Sequence, residues 1–206
     1  MCIWLLLNHM LEIFFKNLES DGISVTDNFI DQSAIRKIAN WSGTLRSQNA
    51  FIEAKISGEK LLKKEIRGDS TFWLDPVAPN AEWMPFKIFL DSLQEKLNKR
   101  FFLGIKQYEC HLAHYPIKAF YKKHLDRLSD NSSRVFTFII YLNEDWKKAD
   151  GGELVIFDKS GNEIKRILPE FGTLVGFMSD EFPHEVLPAN RERFSFTGWM
   201  HNRILY

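Results

Sequence analysis

Apolar positions keep helical spacing through the first hundred residues and an alternating one through the second hundred. Leu7, Met10, Leu11, Phe14 and Leu18 fall on one stripe, which predicts an amphipathic helix at the start. Gly22–Thr26 alternates as a short strand, and Ile30–Trp41 returns to helical spacing with Asp27 or Asp31 as its cap. Ser42–Lys64 mixes polar residues and glycines with few apolar anchors, so a mobile loop or hairpin is expected there. Asn80 caps a predicted helix over Ala81–Arg100. Its apolar face is Phe86, Phe89, Leu90, Leu93 and Leu97, opposite Glu82, Lys87, Asp91, Glu95 and Lys96.

From Gly104 onward the pattern is that of strands. Ile105–Tyr115, Ala119–His124, Arg134–Leu142, Gly152–Phe157, Glu163–Leu168, Thr173–Gly176, Glu185–Leu187 and Arg193–Met200 are short and divided by turn residues. Ser160-Gly161-Asn162 marks a hairpin turn between two of them. Eight short strands after a helical third predict an α+β chain, a double-stranded β-helix (jelly roll) backed by N-terminal helices. Residues 1–104 read as helical support and residues 105–203 as the jelly roll, together one structural unit.

Composition narrows the function. Lys+Arg and Asp+Glu are equal at 27 each, so no net field argues for nucleic acid or a membrane surface. Cys2 and Cys110 make no disulfide framework, and a reducing compartment is the simpler expectation. The run Ile3-Trp4-Leu5-Leu6-Leu7 lacks a preceding basic residue and is too short to span a bilayer. A cytoplasmic protein is expected, which also sets aside an integrin reading of Arg67-Gly68-Asp69.

Chemistry concentrates in two stretches. His124 and Asp126, two apart on a predicted strand, share a face, and a later histidine in Pro183-His184-Glu185-Val186 can complete two imidazoles and one carboxylate. Such a set suits Fe(II) with open positions. Zn(II) is the rival metal, although the helical His-Glu-x-x-His of a metalloprotease is missing. The His-x-Asp tripeptide alone is a weak signal; its combination with His184 and Arg193 carries the weight. Arg193, Ser195, Thr197 and Trp199 share one face of the last strand, with Phe194 and Phe196 on the other, so Arg193 can grip a carboxylate with two prongs. Arg191 reads as a solvated charge. His111 and His114, three apart, face opposite sides and cannot serve one metal; each reads as a pocket or core histidine.

Together these residues resemble the prolyl 4-hydroxylase-type 2-oxoglutarate/Fe(II) dioxygenases, and among them the hypoxia-inducible-factor prolyl hydroxylases and their bacterial relatives. The likeness runs through Ile66-Arg67-Gly68-Asp69, Tyr115-Pro116, Phe120-Tyr121 to His124-x-Asp126, Tyr141-Leu142-Asn143, Gly151-Gly152-x-Leu154, and Pro183-His184 to Arg193, roughly residues 22–201. The resemblance implies His124, Asp126 and His184 as iron ligands and Arg193 with Tyr141 as the clamp for 2-oxoglutarate. It implies Tyr115, Tyr121 and Trp199 as pocket walls and L-ascorbate as accessory reductant. It further implies a flap carrying Arg67 and Asp69, with Asp69 meeting Arg134 as a latch when the flap folds over the site, and hydroxylation of a prolyl residue in a protein substrate. Elongation factor Tu, a substrate of some bacterial relatives, is one candidate. The turn Pro116-Ile117-Lys118-Ala119-Phe120 departs from the family by lacking its usual glycines. The alternatives are a cupin-like metal-dependent binding protein and an oxygenase acting on a non-prolyl substrate. A nucleic-acid demethylase would carry a second arginine where Trp199 stands.

Overall fold

The computed structural model describes residues 2–27, 29–54, 65–127 and 133–205, with the side chains of 2–10 outside that description. Three helices, α1 (Cys2–Asp21), α2 (Gln32–Ser47) and α3 (Met84–Phe101), lie among eleven strands. The strands are β1 (Ile23–Thr26), β2 (Ile52–Glu53), β3 (Ser70–Leu74), β4 (Gln107–Tyr115), β5 (Tyr121–His124) and β6 (Arg134–Tyr141). They continue with β7 (Leu154–Phe157), β8 (Glu163–Ile167), β9 (Leu174–Met178), β10 (His184–Val186) and β11 (Arg193–His201).

They form two sheets, β1-β9-β6-β11-β4-β3-β2 and β5-β10-β7-β8, every pair antiparallel: the jelly roll. The eight expected strands are present, and β1, β2 and β3 from the N-terminal region extend the larger sheet.

Alternation divides the core in two. Phe136, Phe138 and Ile140 of β6, Leu112 of β4 and Phe196 of β11 meet Phe14, Ile35, Phe86 and Leu90 of the helices. Ile139 and Tyr141 of β6, with Leu154, Ile156, Val175 and Phe177, fill the space between the sheets. Both faces of β6 are therefore buried, which explains its almost unbroken apolar run. Gly176 lets α1 approach: a Cβ there would stand 2.5 Å from the Phe14 ring. Leu11, Phe14 and Leu18 of the first stripe are buried, whereas the Leu7 and Met10 side chains lie outside the described residues.

Two helix boundaries differ from expectation by three residues or more. α2 runs past Trp41 to Ser47, because Gly43 sits in open space, the Ser42 hydroxyl donates back to Ile38 O (2.9 Å), and Leu45 anchors the last turn. Asp31 is its cap, accepting from Ser33 N, while Asp27 instead accepts from Thr173 Oγ1 (2.7 Å). α3 begins at Met84 rather than Ala81. Asn80 Oδ1 takes Trp83 N at 3.3 Å in a preceding turn, and Pro85 occupies the first helical turn. Of the expected loop or hairpin over 42–64, β2 pairs with β3, and residues 55–64 lie outside the described residues. No helix among the described residues is long and apolar enough to cross a membrane.

Candidate active site

β5 and β10 pair so that His124 and His184 are direct cross-strand partners, their ring centroids 4.3 Å apart. Each imidazole donates Nδ1–H to a carbonyl two residues back, His124 to Lys122 O (2.8 Å) and His184 to Phe182 O (3.0 Å). A carbonyl can only accept, so the tautomer is fixed and both Nε2 lone pairs face the site. Asp126 closes the set: its two carboxylate oxygens stand 3.6 Å from His124 Nε2 and from His184 Nε2. The three ligand atoms lie within 4.8 Å of one another, close enough to hold a metal ion.

Asp126 reaches this position from a bend beyond β5, not from the strand itself, which ends at His124. Thr137 on β6, in the opposite sheet, holds it with a 2.8 Å hydrogen bond and is itself 2.9 Å from Ser179 Oγ. Thr137 escaped the sequence reading. Its signal was a single hydroxyl among the inward positions of an apolar strand.

Electrostatics suit metal binding. Burial pushes Asp126 upward, but His184 and His124 together with the Thr137 hydroxyl hold it below the usual carboxylate range. Burial, reinforced by His184, pushes His124 down, so it stands as a neutral ligand.

The other end of the pocket is cationic. Arg193 is 2% exposed, and its guanidinium carbon lies 5.0 Å from the Tyr115 ring and 4.9 Å from the Tyr141 ring. Its Nε donates to Gly152 O at 3.0 Å, and no carboxylate pairs with it among the described residues. Gly152 has φ +74°, and a Cβ would lie 2.8 Å from that of Ala189, so the turn carrying this carbonyl requires glycine. The Tyr141 hydroxyl is buried without a hydrogen-bond partner. Burial raises the Tyr141 phenol, against an opposing pull from Arg193, so it remains a donor. A buried unpaired cation beside a free phenolic donor is costly unless an anion joins them. The distal carboxylate of a diacid fits that requirement, and the two-imidazole, one-carboxylate set fits Fe(II).

Tyr115, Tyr121, Ser195, Thr197 and Trp199 line the same pocket, as the sequence reading expects. Arg191 is solvent-facing, 3.7 Å from Asp150. His111 faces the pocket, whereas His114 stacks on Phe194 and reaches Glu192 (3.1 Å), so the two do face opposite sides.

Asp69 and Arg134, the expected latch pair, do not meet in this structure. Asp69 is buried and takes Arg67 in two bonds of 2.7 and 2.6 Å, while Arg134 pairs with Glu109 at 2.7 Å and lies over Trp199. Arg67 is only two residues from Asp69 just ahead of β3, and Arg134 of β6 reaches Glu109 of β4 across the intervening β11. The turn without glycines folds nevertheless: Lys118 itself takes the left-handed conformation (φ 66°), tied by its N–H to Ala189 O at 2.8 Å.

Residues 110–201 match the 2OG-Fe(II) oxygenase superfamily. A prolyl-4-hydroxylase of Pseudomonas putida superimposes with a TM-score of 0.85 and 36% identity, covering 95% of this chain and 100% of that one. The chain belongs to the 2OG-Fe(II) oxygenase superfamily. A Trichoplax adhaerens prolyl hydroxylase, solved with a hypoxia-inducible-factor peptide, also gives a TM-score of 0.85 at 26% identity, covering 97% of this chain and 93% of its own. Human Egl nine homolog 1 is 30% identical over 198 residues, 92% of this chain and 46% of the relative. The chain spans about half the length of the human, rat and mouse forms of that relative. Membership in the superfamily implies Fe(II) and 2-oxoglutarate as cofactors.

Proposed function

We propose that this protein hydroxylates a prolyl residue in a protein substrate, using Fe(II) and 2-oxoglutarate. The observation that carries the reading is the pairing of two sites in one pocket, the His124–Asp126–His184 set and the counter-ion-free Arg193 beside Tyr141. The relatives named as prolyl hydroxylases supply the substrate class.

When bound, Fe(II) and 2-oxoglutarate supply oxidative decarboxylation with O2, releasing succinate and CO2 and placing one oxygen atom in a C–H bond of the substrate. The chain's own residues do the positioning. His124, Asp126 and His184 hold the metal, with Lys122 O, Phe182 O and Thr137 orienting the three ligands. Arg193 takes the distal carboxylate in a charge-assisted grip and Tyr141 donates to the same group. Tyr115, Tyr121 and Trp199 wall the pocket and exclude water from the reacting centre. Residues 1–104 serve as helical support with the flap, and residues 105–203 as the catalytic jelly roll of one unit. L-ascorbate keeps the iron reduced, the protein works in the cytoplasm, and elongation factor Tu is one candidate substrate.

Succinate formation tests the reading. Protein supplied with Fe(II), 2-oxoglutarate and O2 is expected to release succinate slowly without substrate, and Asp126→Ala to release none. A cupin-like binding protein would release none in either form, and that result would refute the proposal.

A further inference from the structure

His111 has no role in the metal set or the acid clamp, yet it faces the same pocket. The residue is 3% exposed and its ring lies against two indoles, 4.8 Å from Trp73 and 5.4 Å from Trp199, which are themselves 6.3 Å apart. Across the sheet its Cα partners are Trp73 on β3 and Thr197 on β11. Burial pushes the imidazole down to about 4, against a smaller upward pull from Asp69, so it is neutral at working pH.

A neutral imidazole carries one N–H and one bare lone pair. Nδ1 is sealed from solvent with no hydrogen-bond partner. A buried orphaned N–H is the rarer and costlier arrangement, which puts the lone pair on Nδ1 and the proton on Nε2. Nε2 is not sealed, and it is the ring's remaining polar atom in a pocket-lining residue.

Which acceptor can reach that donor follows from the register. Arg193 stands opposite Tyr115, four residues from His111 along β4, a run of about 13 Å at the rise of a strand. A five-carbon diacid has four C–C bonds of about 1.5 Å, so it covers at most about 6 Å of that run. His111 therefore faces the part of the pocket beyond 2-oxoglutarate, on the side where Trp73 is half exposed.

We propose that His111 is a specificity-determining residue whose Nε2–H donates to a main-chain carbonyl of the peptide substrate beside the target residue. This rests on the prolyl-hydroxylase reading above. Contact with both Trp73 and Trp199 restrains the ring, so the donor is held in place before the peptide arrives.

Two measurements test it with the full chain. Long-range 15N–1H spectra are expected to place the His111 proton on Nε2; a proton on Nδ1 overturns the proposal. In the second, Mn(II) replaces the iron, 2-oxoglutarate is present, and the probe is a blocked Ala-Pro-Ala peptide whose proton relaxation reports binding. His111→Leu is expected to weaken the peptide about tenfold, the loss of one buried hydrogen bond, and His111→Gln, which keeps an N–H, to stay within about threefold. 2-Oxoglutarate affinity should be unchanged in both, and His111→Met serves as a second apolar replacement. Equal peptide binding by wild type and the apolar variants overturns the proposal alone. A parallel loss of 2-oxoglutarate affinity assigns His111 a structural part and overturns it too. No peptide relaxation with wild type sinks the prolyl reading of the site and this proposal with it.

Discussion

Replacing Arg193 by methionine separates a binding group from a structural one, because its effects on the free and the liganded protein should differ in size. The guanidinium is buried with no carboxylate partner among the described residues, and its Nε donates to Gly152 O. Methionine keeps most of the volume, loses that bond at about 0.5–1.5 kcal/mol, and relieves the desolvated cation. The two terms oppose each other, so the free protein should change by less than about 2 kcal/mol. For a chain of this length that is at most about 8 °C in melting temperature. The liganded protein should lose a charge-assisted pair of about 1.5–3 kcal/mol, roughly 10- to 150-fold in 2-oxoglutarate affinity. At a 2-oxoglutarate concentration near 100 times its Kd, wild type gains about 2.7 kcal/mol. A tenfold weaker variant gains about 1.4 kcal/mol at that concentration and a hundredfold weaker one about 0.4 kcal/mol. Melting with Mn(II) in place of iron, with and without 2-oxoglutarate, reads both quantities, and calorimetry gives the Kd directly. Arg191→Met, on the solvent side, is the control and should bind like wild type. Wild-type affinity in Arg193→Met would refute the clamp, and so would a free variant melting about 15 °C lower.

Gly152→Ala should destabilise the protein by about 1–3 kcal/mol, since φ +74° strains any side chain and its Cβ would press on Ala189; unchanged melting would contradict the strained turn. Acid stability should depend on His111. Its folded pKa lies below the ordinary 6.5, so the unfolded chain binds the extra proton and stability is lost as pH falls from 6.5 toward about 4. His111→Met should lose less stability over that window than wild type, and parallel pH profiles would refute the buried neutral imidazole. In double-mutant cycles on stability, Asp69→Ala should couple strongly to Arg67→Ala, through a buried pair, and add independently to Arg134→Ala within about 0.5 kcal/mol. Strong coupling of Asp69 to Arg134 would reinstate the latch.

The contrast between those two ion pairs marks where the sequence stopped being informative. Periodicity located all eight strands after Gly104, since alternation and turn residues are local properties. It also set Arg193, Ser195, Thr197 and Trp199 on one face, as found in the pocket. Pairing is non-local: nothing in Ile23–Thr26 announces that it joins the larger sheet beside β9. The same holds for Arg134, which meets Glu109 because β6 and β4 both flank β11. Asp126 was found by an alternation argument that does not apply to it, because the chain bends after His124 and Thr137 from the other sheet supplies the orientation. Gly43 reads as a helix stop only when the burial of Leu45 is unknown, and Lys118 shows that a tied backbone can hold a left-handed residue without glycine.

The central claim is that this pocket oxidises a prolyl residue of another protein. Its most direct test is mass spectrometry of lysate proteins incubated with Fe(II), 2-oxoglutarate, ascorbate and either the wild-type protein or Asp126→Ala. The account predicts a one-oxygen mass increase on a proline of at least one protein with wild type only, accompanied by succinate. Succinate release with the added oxygen on some other residue type, or on no protein, would contradict it.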